Sequence, residues 1–145
     1  SLDGAVGLCD ADFAYLSIGA PDSVPAGQYA QRWLESVRCP GGGDAWSAVR
    51  RRVAPAPDVR AALNQVIARR DVVGIVYRTD YLARRTDVPL LYETGVGAGP
   101  QIRFPVAVMA ASPVPDLARE FVAFLAGPQA RATFEEHGFR MARQS

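Results

Sequence analysis

Lysine is missing altogether from this sequence: all 16 basic side chains are arginine, set against 15 acidic ones for a formal net charge of +1. A balance so near zero gives no overall field toward nucleic acid or an anionic membrane. The arginines are scattered (Arg32, Arg38, Arg60, Arg69, Arg70, Arg84, Arg85) and do not converge into an oxyanion grip. All-arginine usage reads as the composition bias of a GC-rich genome. The run Arg50-Arg51-Arg52 reads as a solvated helix end, not a nucleic-acid patch. Histidine is nearly missing too. The single one, His137, lies in Glu135-Glu136-His137-Gly138, where a surface cation near a helix end is expected. Any Ser-His-Asp triad would have to use it. The two cysteines, Cys9 and Cys39, lack C-x-x-C metal spacing. They are either one disulfide of an exported protein or two unpaired small apolar residues. With no paired carboxylates, metal-ligand cluster or activated nucleophile above background, the chain is not read as an enzyme and no cofactor or metal is expected. No apolar run approaches the roughly 18 residues of a membrane span. The start, Ser1-Leu2-Asp3, has no basic region followed by an apolar one, so a signal peptide is expected to be absent or already removed.

What is present is a globular composition: 145 residues, 49% hydrophobic, enough for a core of their own. Short apolar runs alternate with amphipathic stretches, the signature of an α/β layer structure. Tyr15–Gly19 is the first expected strand. Pro25 suits the first position of a helix carrying Tyr29, Trp33, Leu34 and Val37, which ends before Cys39-Pro40-Gly41-Gly42-Gly43. Asp44 can cap a short helix with Trp46 and Val49. A brief strand around Arg52–Ala54 precedes the clearest helix, where Val59, Ala62, Leu63, Val66 and Ile67 form one apolar stripe. The run Val72–Tyr77 has buried-strand character, and Thr79-Asp80 can start a short helix through Leu82 and Ala83. Further strands are expected at Val88–Tyr92, with Pro89 at an edge, and at Ile102–Ala110. Between them lies the loop Gly95–Pro100. Its glycines imitate part of a dinucleotide fingerprint, but a strand and no helix is expected next, so nothing there would receive a phosphate. Pro113 and Pro115 open a helix with Leu117, Phe121, Phe124 and Leu125 on one side. A last helix after Gly127-Pro128 runs to a Gly138 stop.

Three places fall at the C-terminal ends of expected strands, the edge where open α/β sheets bind ligands. At Val24-Pro25-Ala26-Gly27 the capping residue would be Val24, which has no side-chain acceptor. The N–H groups of Ala26 and Gly27 are then expected to lack an internal partner, at a helix end that favours an anion. At Asp58-Val59 a second helix begins, with Asp58 able to satisfy some of its donors. Tyr77 offers a phenolic donor at the end of a strand.

These blocks, in order, are Val24–Ala30, Ala54–Leu63 and Gly74–Asp80, followed by Phe104–Val108, Gly127–Ala130 and His137–Phe139. Together they resemble the molybdate-binding periplasmic proteins of bacterial ABC transporters, from about Leu16 to Met141. The resemblance implies a type II periplasmic-binding-protein lobe, a mixed sheet flanked by helices, in an incomplete clamshell. It implies that Ala26 and Val59, through backbone amides, and Tyr77, through its hydroxyl, hold a tetrahedral oxyanion. A site of donors without acceptors suits fully deprotonated molybdate, tungstate or sulfate and rejects a ligand that keeps a proton, with size left to separate the first two from sulfate.

The same resemblance implies a division into 15–100, the second lobe with its half of the anion site, and 101–145, a segment that returns to the first lobe. Residues 1–14 would be a remnant of the inter-lobe connection. The serine hydroxyls that the family's first lobe contributes have no counterpart here. The function implied is that of a solute-binding component, or a fragment of one, for molybdate or tungstate uptake. Its partner would be a transporter permease, and its location the periplasm or another exported site. The alternatives are a ligand-sensing domain and a non-binding oligomeric remnant of the same fold. Without the first lobe's sheet, the stripe Leu117, Phe121, Phe124, Leu125 needs another cover. A homodimer through the C-terminal helices is expected, with no nucleic acid and no membrane span.

Overall fold

The computed structural model describes residues 4–95 and 97–141. They divide into two compact units, one ending at Gln101 and one beginning at Ile102. The first unit holds strands β1 (Tyr15–Gly19), β2 (Val53–Ala56) and β3 (Val72–Gly74), with helices α1 (Pro25–Ser36), α2 (Ala45–Val49), α3 (Val59–Ala68) and α4 (Arg78–Ala83). Short 3-10 turns precede β1 at Ala5–Leu8 and β2 at Arg50–Arg52.

The sheet has the order β2-β1-β3 and is parallel throughout. Register pairs Leu16 with Val53 on one side and with Val73 on the other. A central parallel strand must be covered on both faces, and β1 has the sequence for it. Leu16 and Ile18, both fully buried, point into a cluster with Ala30, Trp33, Leu34 and Val49 from α1 and α2. Ser17, between them, points the other way and is also fully buried. Its hydroxyl donates to the Ala62 carbonyl at 3.0 Å and faces Gln65 at 2.8 Å, so a polar residue in the core is satisfied by α3. The result is a helix–sheet–helix sandwich of the α/β class.

The cysteines form a disulfide, Cys9–Cys39, that ties the segment leading into β1 to the loop after α1, with Cα atoms 5.8 Å apart. Of the arginine run, Arg50 and Arg51 are exposed, but Arg52 is a structural clamp. Its Nη1 donates to the carbonyls of Ala11 and Phe13, both at 3.1 Å, and its guanidinium lies 3.9 Å above the Phe13 ring. The expectation of a solvated helix end therefore fails at Arg52, because a planar cation can stack and donate at once.

Two expected strands do not form. Val88–Tyr92 and Ile102–Ala110 pair with nothing in the sheet, which ends at β2 and β3. Most of their apolar residues, among them Leu90, Tyr92, Phe104, Val106 and Met109, are exposed, although Val88 is buried. Each segment carries a proline without an N–H to offer, and apolar alternation makes a strand only where another strand lies alongside. The run Val72–Tyr77 pairs only as far as Gly74, with one further bond from Ile75 N–H to the Ser17 carbonyl at 3.2 Å.

The second unit carries α5 (Pro115–Ala126) and α6 (Pro128–Glu136). Helix α6 ends where expected, at Gly138 with φ 89°. The Phe139 N–H returns to the Phe134 carbonyl at 2.9 Å and the Gly138 N–H to that of Glu135 at 3.0 Å, a Schellman stop. His137 is part of it, its Nδ1 lying 2.8 Å from the Thr133 carbonyl. Phe139 meets Phe134 and Phe104 edge to face, each at 5.8 Å between centroids. Among the described residues no helix is long and apolar enough to cross a membrane.

Candidate functional site: the C-terminal edge of the sheet

Each of the three parallel strands delivers the chain to the same edge, and there a helix begins. Strand β1 leads to α1, β2 to α3 and β3 to α4. Ala26, Val59 and Tyr77 therefore all lie at one edge: Ala26 in the first turn of α1, Val59 as the first residue of α3, and Tyr77 as the cap of α4.

Helix α1 is held hard against the end of β1. A Cβ added at Gly27 would fall 1.8 Å from the Gly19 carbonyl oxygen, so no larger residue fits at position 27 without moving the helix. The cap is Val24, which makes no side-chain hydrogen bond, and Pro25 follows it. The backbone compensates in part. Gly27 and Gln28 N–H both donate to the Val24 carbonyl, at 3.0 and 3.1 Å. The expected orphan at Gly27 is thus satisfied by a tight turn, because the Val24 carbonyl has two lone pairs to give. The Ala26 N–H has no acceptor among the described residues, although Ala26 is only 6% exposed.

Helix α3 begins differently. The Asp58 carboxylate accepts from the Ala61 N–H at 2.7 Å, and the Asp58 carbonyl accepts from Ala62 at 3.1 Å. This cap leaves the Val59 N–H without an acceptor among the described residues, and the Arg60 N–H beside it as well. The Arg60 amide went unnoticed in the sequence. Its signal was available, since an aspartate cap reaches the third helical amide and spares the first two.

Tyr77 ends no strand. Pairing stops at Gly74, and Tyr77 instead sets the start of α4, its carbonyl accepting from Asp80 and Tyr81, both at 3.1 Å. Burial raises the Tyr77 phenol above its ordinary value, and Tyr29 and Asp80 push the same way, so its proton stays on at any physiological pH. Asp80, half-buried in the first turn of α4, was likewise unremarked in the sequence as a member of this edge. Burial raises its carboxyl above the ordinary value, Asp58 adds to the rise, and Arg60 opposes it. Chemically, this edge offers backbone N–H groups and a neutral phenol, with carboxylates set around them.

Residues 3–140 match the bacterial extracellular solute-binding protein family, and the chain belongs to it. Among its relatives is the molybdate-binding protein ModA of Escherichia coli K12, 33% identical over 124 residues, which are 86% of this chain and 45% of that protein. The ModA of Haemophilus influenzae Rd is 31% identical over 126 residues, 87% of this chain and 46% of the relative. A putative ABC transporter substrate-binding lipoprotein of Bacillus subtilis 168, YvgL, is 28% identical over 86% of this chain and 45% of its own length. The chain thus spans a little under half the length of these relatives.

Proposed function

We propose that this chain serves the solute-binding component of an ABC-type uptake system for molybdate or tungstate. Ala26 and Val59 N–H groups and the Tyr77 hydroxyl donate to one tetrahedral oxyanion, with the Arg60 N–H adjoining. The observation that carries this reading is the Ala26 amide. A buried N–H without an acceptor costs roughly 1–3 kcal/mol, and such a group is rare unless something outside the protein satisfies it. An oxyanion at a helix N-terminus does so and gains from the helix dipole. Similarity to two molybdate-binding relatives supports the choice of ligand. The donors named here, backbone N–H groups and a neutral phenol, suit an anion that carries no proton.

The reading includes a transporter permease as partner and an exported location, and it assigns no catalytic role and no cofactor. The disulfide supports export, because such bonds persist in oxidising compartments. The exposed face of α5 supports a protein partner, and the reading takes this to be a second copy joined through the C-terminal helices. A single monomer mass in size-exclusion light scattering would remove the dimer.

Calorimetric titration with molybdate, tungstate and sulfate tests the site. Binding of the first two is expected, weakened roughly tenfold or more in Tyr77→Phe and in Ala26→Pro, which deletes the amide. No heat with any oxyanion would overturn the reading in favour of a different ligand or a non-binding remnant of the fold.

A further inference from the structure

Strand β1 is the common support of α1 and α3, the two helices that present amides at this edge. Its last residue, Gly19, holds α1 through the close approach of Gly27. Two residues earlier, about 7 Å back along the strand, Ser17 holds α3. Among the described residues Ser17 is the single buried polar side chain, and it is fully buried. Its hydroxyl donates to the Ala62 carbonyl at 3.0 Å and meets the Gln65 side-chain amide at 2.8 Å. A hydroxyl has one proton and two lone pairs, so both bonds stand together when that amide turns its NH2 group inward. Within α3 the Ala62 carbonyl also serves the helix, and Ser17 takes its second lone pair. One turn on, Val66 lies over Gly74 of β3, where an added Cβ would fall 2.6 Å from the Val66 Cγ2. Val59 stands one turn before Ala62 on the same face, roughly 4.5 Å along the axis.

We propose that Ser17, with Gln65, is a positioning residue that sets which tetrahedral oxyanion this edge accepts, by fixing the Val59 amide relative to the Ala26 amide. The inference rests on the oxyanion reading of this edge and adds a determinant of size to it. Burying a hydrogen-bonded hydroxyl gains little stability over an apolar residue that packs as well. What it adds is position: N–H···O bonds hold only between about 2.7 and 3.2 Å, whereas apolar contact is non-directional and tolerates sliding. A slide by one residue's rise would carry the first amide of α3 about 1.5 Å, more than that window allows. With α1 fastened at Gly19 and α3 at Ser17, the two amides stand at a fixed separation. An anion of matching size reaches both, while a smaller one, as sulfate is beside molybdate, leaves one unmet. A helix released from Ser17 can follow the smaller anion inward, and the discrimination falls. Fully buried, Ser17 does not meet a ligand itself and acts through α3.

The test is titration of the whole chain with molybdate and with sulfate, in the native form, in Ser17→Ala and in Gln65→Met, with sulfate also read by competition against bound molybdate. Ser17→Ala removes the hydroxyl from α3, and Gln65→Met keeps the length of a half-buried side chain without its polar end. The ratio of molybdate to sulfate affinity should fall roughly tenfold in Ser17→Ala and about threefold in Gln65→Met. Lost stability alone lowers both affinities by the same factor, so the ratio separates positioning from folding. If Ser17→Ala fails to fold, Gln65→Met decides, because its site is partly open to solvent. A ratio equal to the native one in the folded variants overturns the proposal and leaves the oxyanion reading standing. Absence of binding by every oxyanion in the native chain overturns both.

Discussion

Helices α1 and α5 are alike in sequence logic: each runs for 12 residues, opens on a proline at the first turn, lacks a side-chain cap, and carries an apolar stripe. In the unit ending at Gln101, α1 buries Ala26, Gly27, Ala30, Trp33 and Leu34. In the unit beginning at Ile102, α5 buries none of its residues, and Leu117, Phe121 and Phe124 are 63%, 57% and 50% exposed. The signals that start and stop a helix are local, and both segments have them. Burial is not local. It needs a surface to meet, which β1 supplies for α1 through Leu16 and Ile18.

The comparison can be broken by measurement. Both tryptophans, Trp33 and Trp46, lie in the first unit, so urea unfolding followed by their fluorescence reports that unit alone. The largest effect is expected from replacing both Cys9 and Cys39 with alanine, a loss of about 3–4 kcal/mol from freeing the loop they close. An unchanged midpoint would mean that the core does not need this staple. Leu34→Ala, at a fully buried position, should cost about 3 kcal/mol, whereas Leu117→Ala should cost about 0.5 kcal/mol or less at dilutions where the chain is monomeric, read by circular dichroism. A loss at Leu117 that grows with protein concentration is expected from the proposed dimer, and a large loss in the monomer would erase the contrast. Asp58→Ala should cost about 1 kcal/mol through the lost cap of α3.

The smallest effect is set by pH. Asp44 caps α2, and the Ser47 N–H holds its carboxyl below the ordinary value of 3.8. A depressed value stabilises the fold above 3.8 and is lost as pH falls through the folded-state value. The acid limb of the stability curve should therefore become slightly shallower in Asp44→Asn.

How far the sequence could be read follows the same division between local and distant causes. Helix α3 was legible from the Val59-Ala62-Leu63-Val66-Ile67 stripe and its Asp58 cap, and β1 was legible to the residue. Val88–Tyr92 and Ile102–Ala110 were misread because a strand is defined by its neighbour, which the segment itself does not contain. Tyr77 was placed at a strand end because the apolar run outlasts the pairing that stops at Gly74. The cysteine spacing carried no distance, so the disulfide could not be chosen over two free thiols. At the candidate site, the proline after an uncapped Val24 pointed to Ala26. The turn that satisfies Gly27 depends on a carbonyl accepting twice, which no residue identity announces.

The contact between Gly27 and the Gly19 carbonyl has one more consequence. On the proposed oxyanion reading, recognition at this edge is carried largely by main chain, and its geometry is fixed by an atom that glycine does not possess. Side-chain replacement at Ala26 or Val59 leaves the backbone N–H groups in place, so a conventional alanine scan would pass over the contacts proposed for them. Selectivity here can be altered by shifting the helix or by exchanging an amide for an ester. A library randomised at position 27 should return glycine alone, whichever anion is used to select it.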